Sequence, residues 1–310
     1  MLGCVVSLTS SHLSGSTIRD VNTVGCVLCS NSSFSSLLPS PSTNADPPFL
    51  LLPAGEYTPD DFEYGKPLWF VDDAGHENTS IVFTNCHFTR AAYGTRMVLR
   101  VYAYNGTVSI ISCSFTDIAP AGYPTAVYIY HYSRFNHTCV TVTSSNFTDC
   151  SSVEKGGAMF IKVPDAILIQ KCRFVNCSAN DASSEGGGAL YLFGMTSDDL
   201  LAKFNLVDCV IADCSSTSNG GGVYAHARPD LSIIDTKFER CELTSESAFT
   251  NGGGLSIYAY FHAAMTVERC HFINCSSKHG GGAIGSDCLK NLSISDQAFP
   301  KSLHNLRENQ

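Results

Sequence analysis

The sequence predicts an all-β chain, a solenoid of parallel strands wound as a β-helix, on three observations. A spaced pattern of apolar residues, cysteine and phenylalanine returns seven times between residues 81 and 275. A Gly-Gly pair leads into a short apolar strand five times, in phase with that pattern. Helical periodicity is absent from the repeats. A recurrence of roughly 30 residues is the mark of stacked structural units that bury their apolar faces only against one another.

The spaced pattern supplies the first part of each coil. With its aromatic residue taken as zero, apolar residues stand at −7 and −5, usually Cys at −2, Phe at zero and often Cys at +3. The clearest copy is Ile167, Ile169, Cys172, Phe174, Cys177. Met265, Val267, Cys270, Phe272, Cys275 repeats it, as does Phe204, Leu206, Cys209, Ile211, Cys214 with Ile in the aromatic slot. Leu231, Ile233, Thr236, Phe238, Cys241 and Val140, Val142, Ser145, Phe147, Cys150 carry a small residue at −2. Val108, Ile110, Cys113, Phe115, Ile118 and Ile81, Phe83, Cys86, Phe88, Ala91 complete the set. Steps of two place both members of a pair on one face of a strand. The steps of three reverse that parity, so each requires a corner if every slot is to point inward. A unit is therefore a short strand, a bend, a short strand and another bend, stacked about 4.8 Å from the next.

The second element is the Gly-Gly strand, at Gly156-Gly157, Gly187-Gly188, Gly221-Gly222, Gly253-Gly254 and Gly281-Gly282. These pairs are expected to turn corners, since glycine accepts tightly bent or positive-φ backbone. No helix pattern follows them, which argues against a phosphate cradle. Between +3 and each pair lie small polar residues of variable number, such as Ser-Ala-Asn-Asp-Ala-Ser-Ser-Glu, expected as loops leaving the solenoid edge.

The seven clear coils belong to a repeat region over residues 71–297. Residues 1–38 fit the frame weakly (Val6, Leu8, Ser11, Leu13; Val27, Cys29, Ser32, Phe34, Leu37) and are expected to add N-terminal coils. Residues 39–70 hold seven of the twelve prolines and read as an insertion or interrupted coil, because proline removes a ladder donor. Residues 298–310 read as a polar tail. A solenoid without evident caps is expected to be a fragment or to carry a misplaced start. No signal peptide and no apolar run of about 18 residues is visible, so any anchor is expected outside this segment.

Only 15% of residues are charged and the net charge is −9, with no Lys/Arg cluster, which argues against nucleic acid as a partner. Most of the fifteen cysteines fall at −2 and +3. They read either as a disulfide framework or as small hydrophobes filling interior ladders. The ladder is favoured, because every copy places its Cys on the same face beside its neighbour. Zinc is not expected: Cys26/Cys29 is the one C-x-x-C pair, and the recurring C-x-x-x-x-C spacing suits no finger. No cofactor or metal is expected. Eight N-x-S/T sequons, at Asn31, Asn78, Asn105, Asn136, Asn146, Asn176, Asn274 and Asn291, mark possible N-glycosylation sites. Three of them lie at or next to the Phe slot, where side chains should alternate outward.

Gly-Gly-Ala-Ile or Gly-Gly-Ala-Leu combined in phase with Phe-x-x-Cys resembles the repeats of chlamydial-type polymorphic outer-membrane proteins. It is more similar still to the large Cys-rich, right-handed β-helix surface families of protists, over residues ~75–290. Cys150, Cys177, Cys241 and Cys275 stand where the bacterial repeat usually has Asn, and an autotransporter barrel is not expected. The resemblance implies a right-handed, pectin-lyase-like β-helix that is extracellular or at a cell surface, serves adhesion or display, and meets a protein or glycan ligand. It carries no catalytic residues.

The same fold holds pectate lyases and polygalacturonases, so a polysaccharide-active lyase or glycoside hydrolase is the alternative. Such enzymes need clustered carboxylates and a basic group. Paired acids occur at Asp60-Asp61, Asp72-Asp73 and Asp198-Asp199, and Asp72-Asp73-Ala74-Gly75-His76 resembles part of a polygalacturonase site. The expected companion motifs do not follow it, and His87 and His271 share the outward −1 slot several coils apart. A non-enzymatic role is therefore expected.

Overall fold

Every strand in the computed structural model runs parallel to its neighbours. The structure describes residues 4–9, 25–30, 33–35, 69–72, 79–85, 87–89, 99–103, 106–119, 125–131, 138–163, 166–180, 185–194, 203–227, 230–245, 251–259, 265–287 and 292–295. Four parallel sheets of ten, eight, five and eight strands line the coil, here sheets I to IV in the order the chain visits them. One coil reads Ala166–Gln170 in sheet I, Arg173–Val175 in sheet II, Ser178–Ala179 in sheet III and Leu190–Gly194 in sheet IV. Lys203–Val207 then opens the next coil, in register beside Ala166–Gln170. The chain is a parallel β-helix.

Both steps of three are corners, as the spacing requires. The residues at −3 (Asn85, Ser112, Ser144, Lys171, Asp208, Asp235, Arg269) and at +2 (Asp117, Asp149, Asn176, Asp213, Arg240, Asn274) all have φ between 50° and 58°. Many are Asn or Asp, which tolerate this region better than other side chains. The −2 residue then satisfies the corner. Cys172 Sγ donates to the Gln170 carbonyl at 3.2 Å and Cys209 Sγ to the Val207 carbonyl at 3.2 Å. Ser145 and Thr236 make the same bond through oxygen, to Thr143 at 2.9 Å and Ile234 at 3.0 Å. A small side chain with a donor is what this slot selects, and Cys, Ser and Thr all meet it.

The slot-zero side chains form one buried column: Phe88, Phe115, Phe147, Phe174, Ile211, Phe238 and Phe272 are each at most 3% exposed. Ring centroids lie 4.7 Å apart for Phe88–Phe115, 4.6 Å for Phe115–Phe147, 4.9 Å for Phe147–Phe174 and 4.6 Å for Phe238–Phe272. Ile211 interrupts the rings without opening the core. Beside it runs the +3 column, Ile118, Cys150, Cys177, Cys214, Cys241 and Cys275, all buried. Its five cysteines are free thiols. Burial pushes the Cys214 thiol well above the usual range.

Three expectations change. The polar stretches after +3 do not leave the sheet at once: Ser151–Ser152, Ser178–Ala179, Ser215–Ser216, Glu242–Leu243 and Ser276–Ser277 pair as sheet III. Two residues are too few for a period-2 pattern to show in sequence. The Gly pairs at 221–222 and 253–254 stand one residue late. Backbone pairing aligns Ala158 and Ala189 with Gly222 and Gly254, so Gly220-Gly221 and Gly252-Gly253 are the equivalent corners. The reason is visible at Gly187 and Gly188. Gly187 has φ 85°, and a methyl group on Gly188 would lie 2.0 Å from the Gly221 carbonyl oxygen. The third glycine merely fills a small-residue slot. The Pro-rich stretch to residue 70 also ends too late, because Trp69–Asp72 is already a sheet IV strand paired with Leu99–Ala103.

N-terminal strands Cys4–Thr9 and Gly25–Ser30 extend sheet I in frame, with Val27 beside Ile81 and Phe34 of Ser33–Ser35 beside Phe88. The proline-rich residues up to 68 and the 298–310 tail lie outside the described residues.

Phe174→Ala empties a fully buried slot between Phe147 and Ile211, and chemical denaturation should show a loss of about 3–5 kcal/mol. Alkylation of the native chain should modify exposed Cys139 and spare Cys150, Cys177, Cys214, Cys241 and Cys275. Denaturation without reductant should then make all five reactive; labelling that required reductant would show disulfides in place of a thiol ladder.

Candidate binding face

Sheet IV differs from the other sheets in what it turns outward. Met159, Ile161 and Val163 point into the core, and the intervening positions carry aromatic and charged side chains. Register places Tyr128, Phe160, Tyr191 and Tyr224 in one column. Their rings stack at 4.6 Å, 4.8 Å and 5.6 Å, the last pair tilted by 38°. Each ring covers the face of its neighbour, so this column is largely closed to solvent. The adjacent column is Tyr130, Lys162, Phe193, His226 and Tyr258, all partly exposed. Lys162 Nζ stands 4.6 Å from the Tyr130 ring centre and 4.9 Å from that of Phe193, a cation between two rings. Phe193, His226 and Tyr258 continue edge to face at 4.6 Å and 4.8 Å. At one strand spacing per coil, the row runs about 19 Å along the axis.

Where this face meets the loops before the Gly corners, four side chains from three coils converge. Glu185 Oε2 accepts from Lys155 Nζ and from the Tyr191 hydroxyl at 2.9 Å, and Oε1 lies 3.3 Å from His226 Nδ1. Lys155 and Glu185 are about a quarter exposed, and His226 less. The His226 bond first, then those from Lys155 and Tyr191, hold the Glu185 carboxyl down at about 2, against the opposing effect of burial. A carboxylate with this many donors is a weak base and no proton donor near neutrality. It clamps three coils together.

The corner columns carry a second kind of polar contact. Arg240 grips Asp213 in a forked pair at 2.6 Å and 2.8 Å, and Arg269 grips Asp235 at 2.7 Å and 2.9 Å, each bridging adjacent coils. Arg240 holds the Asp213 carboxyl below its ordinary range. These pairs are solvent-exposed, so water screens them, and the forked geometry is the arrangement in which an exposed pair contributes most.

Among the described residues, those singled out from sequence are not brought together. His87 and His271 share one register position, with Ser114, Asn146, Arg173, Val210 and Lys237 between them, so their backbones stand about 29 Å apart at six strand spacings. The backbone of Asp72 pairs with Tyr102 in sheet IV, in the register of the Tyr130 column. Asp60, Asp61, Asp73, His76, Asp198 and Asp199 lie outside the described residues. Of the sequons, Asn146, Asn176 and Asn274 are exposed, and Asn176 Nδ2 donates to Asp149 Oδ1 at 2.7 Å. Asn31, Asn78, Asn105, Asn136 and Asn291 lie outside the described residues. Among the described residues no group of three or more His, Cys, Asp or Glu side chains is arranged to hold a metal ion, and no helix is long and apolar enough to cross a membrane.

Sequence reasoning missed Lys155, Glu185, Tyr191 and His226. The available signal was an aromatic residue two places after the small-residue slot in successive Gly-Gly strands: Phe160, Tyr191 and Tyr224. No family model, no curated protein and no solved structure matches the chain.

A depressed carboxyl stabilises the fold above its unfolded value, and that stability is lost as pH falls toward the folded value. Acid unfolding should therefore show a component between pH about 4.5 and about 2, worth on the order of 1–2 kcal/mol after solvent screening. Glu185→Gln should remove this component; an unchanged acid limb would count against the clamp.

Proposed function

We propose that the chain is a non-enzymatic β-helix of the extracellular space or cell surface, a rigid rod that presents the outer face of sheet IV and its flanking loops to a glycan. The observation that carries this reading is the partly exposed row Tyr130, Lys162, Phe193, His226, Tyr258. It offers apolar ring edges, hydroxyls and a cation in a line about 19 Å long, which suits an extended ligand lying along the axis. The exposed sequon residues Asn146, Asn176 and Asn274 support a glycosylated, adhesive rod, and the repeat pattern supports membership of a Cys-rich surface family. The proposal that a protein, not a glycan, is the ligand draws on the same face.

A polysaccharide-active enzyme is the second reading, favoured by the meeting of Lys155, Glu185, Tyr191 and His226. Against it stands the saturation of Glu185 by its neighbours, which leaves this cluster without a carboxyl poised near neutrality for acid or base work.

Binding to an array of neutral and acidic glycans separates the readings. Retention on a glycan that weakens at least tenfold in Phe193→Ala and Lys162→Ala, without product formation, supports the rod. Turnover of polygalacturonate or a related acidic glycan, with unsaturated products or new reducing ends that vanish in Glu185→Gln, would replace it with the enzyme. Absence of glycan binding alongside a protein ligand sensitive to the same substitutions would move the proposal to protein adhesion.

A further inference from the structure

The uninterrupted run of Cys150, Cys177, Cys214, Cys241 and Cys275 is more than its packing needs. Backbone hydrogen bonds connect the coils through this slot, from Ser178 N to Cys150 O, Ser215 N to Cys177 O, Glu242 N to Cys214 O and Ser276 N to Cys241 O, so the five occupy one line in consecutive coils. In the preceding coil the same slot holds Ile118, fully buried, so an apolar side chain fits there. Donation to the carbonyl two residues back is close at one of the five, 3.2 Å for Cys214, and longer at the others, 3.5 Å for Cys150 and Cys177, 3.7 Å for Cys241 and 3.8 Å for Cys275. The flanking column is small throughout, Ala158, Ala189, Gly222, Gly254 and Ala283, and at Gly222 an added methyl would come within 3.2 Å of Cys241 Sγ.

Parallel coils set neighbouring sulfurs about 4.8 Å apart. Two metal–thiolate bonds of about 2.3 Å laid end to end span about 4.6 Å. We infer that adjacent thiols of this column bind a soft monovalent cation, Cu(I) or Ag(I), in linear two-coordinate sites, one ion for each pair of sulfurs. Soft thiol ligands favour such ions, and two sulfurs in line do not meet the tetrahedral demand of zinc. Binding breaks one Sγ–H bond and forms one Sγ–metal bond with that electron pair. The second sulfur contributes a lone pair and keeps its proton. The displaced proton goes to solvent, so the buried site stays neutral and no oxidation state changes. Affinity therefore rises with pH.

A five-membered line has room for two such pairs, and this gives the test its form. Removing the first, third or fifth cysteine still leaves two neighbouring pairs. Removing the second or fourth leaves one. The full chain, reduced and held without oxygen in chloride-free buffer, is loaded with Ag(I) and its stoichiometry is read by native mass spectrometry. Cys177→Ser and Cys241→Ser should each bind one ion fewer than wild type, whereas Cys150→Ser, Cys214→Ser and Cys275→Ser should bind the same number. Loaded wild type should also melt at higher temperature than the silver-free chain. Valine replacements, which follow the apolar precedent of Ile118 in the same slot, repeat the series in case serine disturbs folding. Equal losses at all five positions, no loss at 177 and 241, or loss at Cys139→Ser alone would overturn the proposal. So would thiols already paired as disulfides in the isolated chain.

Discussion

In-register stacking of coils at a single strand spacing is the constraint on which the rest of this structure depends. Each residue has its counterpart directly above and below, so a column, not a residue, is the unit of packing. Phe on Phe and Cys on Cys follow from that geometry, because a side chain that suits one coil suits the next. The Phe column shows the tolerance of the arrangement: Ile211 replaces a ring, keeps the slot filled and remains fully buried. Almost all buried apolar residues accordingly form one continuous cluster running the length of the described coils.

Corners carry the second demand. Two of them per coil use single left-handed residues, none of them glycine among the described residues, and the strain this implies is shared over the repeats. The side chain that follows the first corner repairs its hydrogen bonding, and this selects Cys, Ser or Thr at −2. The Gly corner answers a different need. There two backbones approach too closely for any Cβ, so composition is fixed by contact with the adjacent coil. Cysteine richness thus has two origins, a donor requirement at −2 and a line of sulfurs at +3 that packing alone does not demand.

Outward positions are free of the stacking rule except on sheet IV, where aromatic residues repeat as strictly as the core does. The inner of its two outward columns is nearly buried by its own ring stacking and by Glu185, which ties three coils at the loop edge. The other remains available to a partner. The rod therefore has one chemically distinct side, with the polar corner columns distributed around the remainder.

Fold class and the identity of the core were legible in the sequence, because both depend on local spacing: steps of two at Ile167/Ile169, and steps of three that force corners at Lys171 and Asn176. The frame at Val27 and Phe34 was visible for the same reason. Sheet III was not, since strands of two residues leave no period, and the phase of Gly220-Gly221 was hidden inside a run of three glycines. The meeting of Lys155, Glu185, Tyr191 and His226 could not be read at all. These residues lie up to about seventy positions apart, in three coils separated by loops of unequal length. Only the stacking of those coils decides which of their outward side chains share a column and which loop carboxylate reaches them. Sequence determined what each coil must bury; the tertiary structure alone decided what the coils, once stacked, place side by side on the outside.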